Sequence, residues 1–206
     1  MEEKHGNNLV ELIGVLGGRP EFSHISREEA YLLFPLEVRR LSGTFDRINV
    51  MVRQTLLEQL PLAERGKIKV TGELRSFNNK TGSGSRLVIT VFAQEITFSD
   101  EDDCNAVVLR GVLCKSPNLR QTPMGREICD LLVAVARRYG RSDYLPCISW
   151  GQNAVESADW EVGTTVALSG RIQSRTYIKQ HDGQVHERTA FEVSVIKQEM
   201  LIVTHG

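Results

Sequence analysis

The sequence predicts an all-β chain built as two successive small Greek-key barrels, each with one short helix, and three observations carry that reading. The chain repeats itself, its apolar residues alternate with a period of two, and an acidic run falls at the joint between the copies. Residues 8–20 read NLVELIGVLGGRP and residues 105–117 read NAVVLRGVLCKSP, sharing N-x-V-x-L-x-G-V-L-x-x-x-P at a shift of 97. Seven identities in thirteen positions mark a tandem duplication, which constrains the architecture before any single motif does. At a shift of 98, Arg39-Arg40 falls on Arg137-Arg138, Gln54 on Gln152, and KIKVTGELRS (67–76) on TVALSGRIQS (165–174). Gln94-Glu95-Ile96 then matches Gln198-Glu199-Met200 at a shift of 104. The acidic segment 99–103 reads as a linker between a barrel over 1–98 and a second over 104–206, because like charges resist packing.

Each copy supplies its elements in the same order. Val10, Leu12 and Gly14, repeated by Val107, Leu109 and Gly111, form one face of a first strand. Ile48 to Val52 and Leu131 to Ala136 read as further strands. Helical candidates follow at Gln54 to Leu60 and Asn153 to Trp160, with Leu56, Leu57 and Leu60 spaced to cap the first barrel. Val70 to Leu74 and Leu168 to Ile172 each hold a central glycine, Gly72 and Gly170, which within a strand signals a bulge or sharp bend. Gly/Ser/Asn-rich hairpins at 78–85 and 181–187 lead into closing strands over 87–96 and 191–200. Five short strands and one short helix in each copy match the five-stranded closed barrel of the OB type.

Composition narrows the classes of function. With 206 residues, 41% of them hydrophobic and 25% charged, the chain is an ordinary globular one, neither disordered nor collagen-like. Its longest apolar run, Leu131 to Ala136, is far too short to span a bilayer, and the N-terminus has no signal-like stretch. A cytoplasmic protein is expected. Cys104, Cys114, Cys129 and Cys147 contain no C-x-x-C pair and read as small apolar residues of a reducing compartment. The net charge of −1 hides an uneven spread: +1 over 1–98, −4 over 100–103 and +2 over 104–206.

The residues that suggest chemistry cluster in the second copy. If the strand from Arg171 stays regular, one face carries Arg171, Gln173, Arg175, Tyr177 and Lys179. Cations that track phosphates beside a ring on which an unstacked base can lie suit single-stranded nucleic acid, although a solvated edge strand would look the same. Arg137, Arg138, Tyr139 and Arg141, followed by Tyr144 and Trp150, form a second such cluster. The N-x-V-x-L-x-G start, LLVAVARRY (131–139), CISWGQ with Glu156, VALSGRIQSRTY (166–177), the HDG turn and T-x-F-E-V-S-V (189–195) together resemble the bacterial single-stranded DNA-binding protein family. That resemblance covers nearly the whole second copy. It implies an OB fold, base stacking on four aromatic positions, here Tyr139, Tyr144, Trp150 and Tyr177, and phosphate contacts from neighbouring arginines. Trp150 shares strand parity with Ile148, so part of its surface is expected in the core.

The first copy departs from the family where function would lie. Leu41, Val52 and Asn79 replace Tyr139, Trp150 and Tyr177, and only Phe45, shifted by one, stands near the Tyr144 position. Arg39, Arg40, Arg53, Arg75 and Lys80, with Phe77, could still follow a phosphate backbone; a barrel kept for dimer contacts is the competing reading. The resemblance also implies a homodimer presenting four barrels. The sequence given stops at Thr204-His205-Gly206, without the acidic tail by which the family recruits enzymes, so no recruitment by that route is expected.

Sequence-tolerant single-stranded DNA binding in replication, recombination or repair is therefore the leading expectation, with RNA as a substrate variant. An OB-fold protein-interaction adaptor of the primosome type is the alternative. An enzyme is the least supported class: Gly82-Ser83-Gly84-Ser85 is not followed by the Lys-Ser or Lys-Thr of a phosphate-binding loop, and no catalytic triad is recognisable. No cofactor is expected. His181, Asp182, His186 and Glu187 read as a polar hairpin rather than a metal site.

Overall fold

The computed structural model describes residues 6–60, 66–78, 87–181 and 184–201, and of residues 175–181 and 184–188 the backbone alone. Alternation of apolar and polar residues gives each strand one inward face. In the first half β1 (Asn8–Leu16), β2 (Glu21–Ser26), β3 (Glu29–Arg39) and β4 (Phe45–Arg53) precede the helix α1 (Gln54–Leu57), with β5 (Lys67–Asn78) and β6 (Leu87–Ser99) after it. The second half repeats this as β7 (Cys104–Leu113), β8 (Asn118–Gln121), β9 (Glu127–Ala136), β10 (Ser142–Trp150), α2 (Gln152–Ala158), β11 (Thr165–His181) and β12 (Gln184–Leu201).

Each half closes on itself in the same way. β1 pairs with both β5 and β3, and a short parallel contact of β4 with β6 completes the ring; β7 with β11 and β9, and β10 with β12, do likewise. These are two OB barrels in tandem, as the repeat predicts. One short strand lies outside each five-stranded ring: among the described residues β2 pairs only with β3 and β8 only with β9. All six residues of β2 are exposed, so it carries no buried face by which periodicity could reveal it.

The glycines of the repeat mark close approaches. A Cβ at Gly14 would overlap the Glu37 carbonyl and one at Gly111 the Ala134 carbonyl, where the first strand of each half crosses the third to shut the ring. Gly72 and Gly170 sit at the register shifts of β5 on β6 and β11 on β12, the predicted bulges. The repeated asparagine also has a task. Asn8 Nδ2 donates to the Leu74 carbonyl at 2.7 Å while its Oδ1 accepts from Leu74 N at 2.8 Å, and Asn105 makes the same pair of bonds with Ile172, both at 2.8 Å.

The two barrels share one sheet. β1 and β7 run antiparallel across the joint with Val10 facing Val107, Asn8 facing Leu109 and Leu12 facing Asn105, a pairing with pseudo-twofold symmetry about the Val10–Val107 pair. Val10, Leu12, Val107 and Leu109 point into one continuous buried apolar cluster. The acidic joint, read as a linker, has partners of opposite charge. Asp103 accepts from Arg39 N at 2.7 Å and pairs with Lys67 at 2.7 Å, and Glu101 lies 3.7 Å from Lys69. Opposite charges on β5 neutralise the like charges that the linear sequence shows together. Burial alone would raise the Asp103 carboxyl, but the Lys67 ammonium and the Arg39 N–H together hold it below the usual aspartate range.

Candidate nucleic-acid interface

Tyr144 and Trp150 lie on β10 with the same parity, opposite Ala134 and Ile128 of β9, while Leu145 and Cys147 point inward. Tyr144 is 50% exposed. Trp150 is half-buried: its Nε1 donates to Ser194 Oγ at 3.0 Å and the Arg126 guanidinium lies 5.0 Å from its ring centre. One face of the indole is thus covered by a cation, in keeping with the expectation that part of Trp150 is core. Tyr139 stands on the hairpin between β9 and β10 at 97% exposure, with φ +67°. That left-handed backbone is rarely adopted by an aromatic residue; here Arg137 N donates to the Arg141 carbonyl at 2.7 Å and closes the turn.

Of the predicted cations, Arg138 and Arg141 are exposed on that hairpin, and Arg39 and Arg53 are exposed on the first barrel. Four others are bound to carboxylates. Arg137 grips Asp143 through Nε at 2.6 Å and through Nη2, and Arg40 grips Asp46 through Nε at 2.8 Å and through Nη2. Arg75 reaches Asp143 at 3.0 Å and also pairs with Glu73; Arg171 reaches Asp46 at 3.3 Å. Phe77 is 44% exposed at the end of β5. Lys80 lies outside the described residues, as do the side chains of Arg175, Tyr177 and Lys179, whose backbone continues β11. The side chains of His181, Asp182, His186 and Glu187 lie outside them too, and among the described residues no three His, Cys, Asp or Glu side chains group as metal ligands.

Sequence reading missed Asp46 and Asp143. Both are buried, at 1% and 0% exposure, and each joins the two barrels. Asp143 of the second barrel accepts from Ser76 N at 2.6 Å and from Arg75 of the first, while Asp46 of the first accepts from Asn105 Nδ2 at 3.3 Å and from Arg171 of the second. Tyr144 N in turn donates to Ser76 Oγ at 2.7 Å. The visible signal was the shared spacing R-x5-D, Arg40 to Asp46 and Arg137 to Asp143.

These pairs also correct the alignment of the halves. Val38 faces Asp46 as Val135 faces Asp143, and Arg40 N bonds the Thr44 carbonyl as Arg137 N bonds that of Arg141, so equivalent positions here differ by 97 rather than 98. Arg40, not Arg39, corresponds to Arg137. The first-barrel equivalents of Tyr139, Tyr144 and Trp150 are Ser42, Arg47 and Arg53, in place of Leu41, Phe45 and Val52. An extra residue, Gly151 at φ +58°, precedes α2 and restores the shift of 98 at Gln54 and Gln152. Asn79, the expected counterpart of Tyr177, lies outside the described residues.

All four cysteines are free thiols, with Cys129 and Cys147 buried. Burial pushes each thiol above its ordinary value, most strongly at Cys147, which keeps them protonated and poor nucleophiles.

Comparison with known proteins finds sequence similarity over the second half and a similar fold over both. The sequence profile described as the single-strand binding protein family matches residues 104–201. A single-stranded DNA-binding protein of Clostridium tetani is 38% identical over 80 residues, 35% of this chain and 55% of that protein. Single-stranded DNA-binding protein A of Bacillus subtilis is 33% identical over 88 residues, 39% of this chain and 51% of that protein. The chain therefore spans about half the length of these curated relatives. The crystal structure of the wild-type single-stranded DNA binding protein from Thermus aquaticus superposes with a TM-score of 0.78 at 22% identity, covering 98% of this chain and 96% of that one, which shows that the two-barrel fold extends over both halves. The exposed Tyr139 and Tyr144 lie in the same half of the chain, residues 104–201, that matches the single-strand binding protein family profile and is similar to these relatives.

Proposed function

We propose that this protein binds single-stranded DNA with little sequence preference and without catalysing a reaction, in replication, recombination or repair. The observation that carries the reading is the exposure of Tyr139, Arg138 and Arg141 on the β9–β10 hairpin and of Tyr144 just after it, with Trp150 at the same strand parity as Tyr144. Exposed rings accept unstacked bases of any identity, and guanidinium groups beside them follow the phosphates. Tyr177, Arg175 and Lys179 extend the same surface along β11 in this reading, with Phe77 and Lys80 at the first barrel's hairpin. Arg137, Arg75, Arg40 and Arg171 serve it from behind, by holding the two hairpins through Asp143 and Asp46. Names of the relatives favour DNA over a protein-adaptor role.

Two copies of the chain would present four barrels. Leu9 and Val108 face each other at the β1–β7 joint, each about half exposed, an apolar pair that a second chain could cover. Light scattering should give twice the chain mass of 23.1 kDa; the single mass would reject the dimer.

Titration of the protein with labelled oligo-dT, followed by anisotropy and by intrinsic fluorescence, tests the main reading. Tight binding with quenching is expected, and Tyr144→Ala should weaken it by about 1 to 3 kcal/mol with the fold intact. A folded protein that binds no oligo-dT would overturn the proposal.

A further inference from the structure

The first barrel lacks aromatic residues at the equivalents of Tyr139, Tyr144 and Trp150, yet its outer surface is not without rings. His24 on β2 stacks on Tyr31 of β3 with centroids 4.9 Å apart and planes 10° apart. Tyr31 lies 5.9 Å from Phe92 of β6 at 39°, and the Arg75 guanidinium lies 5.9 Å from the Phe92 centroid. Phe34, Val91 and Ala93, the neighbours of opposite parity, are buried, which puts Tyr31 and Phe92 on the outside of the ring. Arg53, paired with Tyr31 across β3 and β4, is exposed beside them.

The line does not end at the first barrel. Arg53, Arg75, Phe92 and Gln94 of the first barrel and Arg138 and Tyr139 of the second line one cleft of about 830 Å³. The hairpin bearing Tyr139 is pinned there by the bonds of Asp143 to Arg75 and to Ser76 N. Its fully exposed ring is thereby carried to the edge of the first barrel's aromatic strip. Glu73, the acidic residue of the cleft, is neutralised by Arg75.

We infer that the first barrel is a second single-stranded DNA platform, which stacks bases on Tyr31 and Phe92 with His24 at its far end and receives the strand from Tyr139 across the inter-barrel cleft. This rests on the reading of the second barrel as a DNA-binding surface. The occupant is specified by chemistry: successive flat rings and guanidinium planes suit successive bases, Arg53 suits the phosphates, and the strip is continuous with the surface already assigned to the same strand.

Oligo-dT carrying photoreactive 5-iodouracil, cross-linked to the full chain and mapped by mass spectrometry, separates the possibilities. Adducts are expected in peptides holding Tyr31 or Phe92 as well as in those holding Tyr144 and Trp150. Adducts confined to the second barrel would overturn the inference and leave the proposed function intact, while no binding at all would overturn both. In parallel, Phe92→Leu keeps an apolar side chain but loses the π-face, and should weaken binding of an oligomer long enough to cover both barrels by roughly tenfold, with Phe92→Trp restoring it. Wild-type affinity in a folded Phe92→Leu protein would refute the platform. Should that variant not fold, the cross-links of the unaltered protein still decide the matter.

Discussion

Asp143 ties the second barrel to the first. Fully buried, it is held by Arg137 of its own barrel and by Arg75 and Ser76 N of the other, so its charge is paired on both sides. Removing the carboxylate leaves the Arg137 guanidinium without its ion-pair partner and Arg75 with Glu73 alone, a loss of about 3 kcal/mol for a pair buried on one side. Asp143→Ala should lower stability by that order in urea denaturation, and Asp46→Ala should do the same from the opposite side. If the cross-barrel contact matters, the double variant Asp143→Ala/Arg75→Ala should lose clearly less than the sum of the two single changes. Strict additivity would mean that Arg75 and Asp143 are merely near one another. These aspartates were present in the sequence as part of R-x5-D, yet a lone carboxylate between strand residues reads as solvated until the facing barrel supplies its partners.

Elements show which local signals survive packing. The bulges at Gly72 and Gly170 were legible because a glycine inside an alternating apolar strand has few other uses, and Gly72→Ala should cost about 1 to 3 kcal/mol through overlap with the Phe92 carbonyl. A thermal melt at the wild-type midpoint would show that β5 and β6 can shift to make room. The acidic joint went the other way: its four charges looked repulsive, and β5 turned two of them into ion pairs with Lys67 and Lys69. A carboxyl lowered on folding, as Asp103 is, stabilises the fold fully above the free aspartate value of about 3.9 and loses that contribution as pH falls through its lower folded value. The stability gap between wild type and Asp103→Asn should therefore be constant near neutrality and close in acid below that window. A gap that stayed open at the lowest pH would mean that hydrogen-bond geometry, not charge, holds the joint. β2 was invisible for a different reason, having no buried face to set a period.

Across the whole molecule, the two barrels are joined by a β1–β7 ladder, by a shared apolar cluster and by two reciprocal aspartate contacts. Such a chain should unfold in a single calorimetric transition; two resolved transitions would show that each barrel is stable alone. DNA affinity should fall with salt at a log-log slope of about 0.7 for each phosphate neutralised, and Arg138→Ala should reduce that slope by about that amount. An unchanged slope would place Arg138 off the path of the strand. By itself, the sequence determined the duplication, the two barrels, their bulges, and the aromatic residues of the second half, because each is written in local period, spacing or a repeated motif. Tertiary structure alone decided the true equivalence of Arg40 with Arg137, the partners of Asp46 and Asp143, the pinning of the acidic joint, and the His24–Tyr31–Phe92 strip. Those features join residues from different strands or different barrels, and no local pattern records which distant side chains the closing of a sheet will bring together.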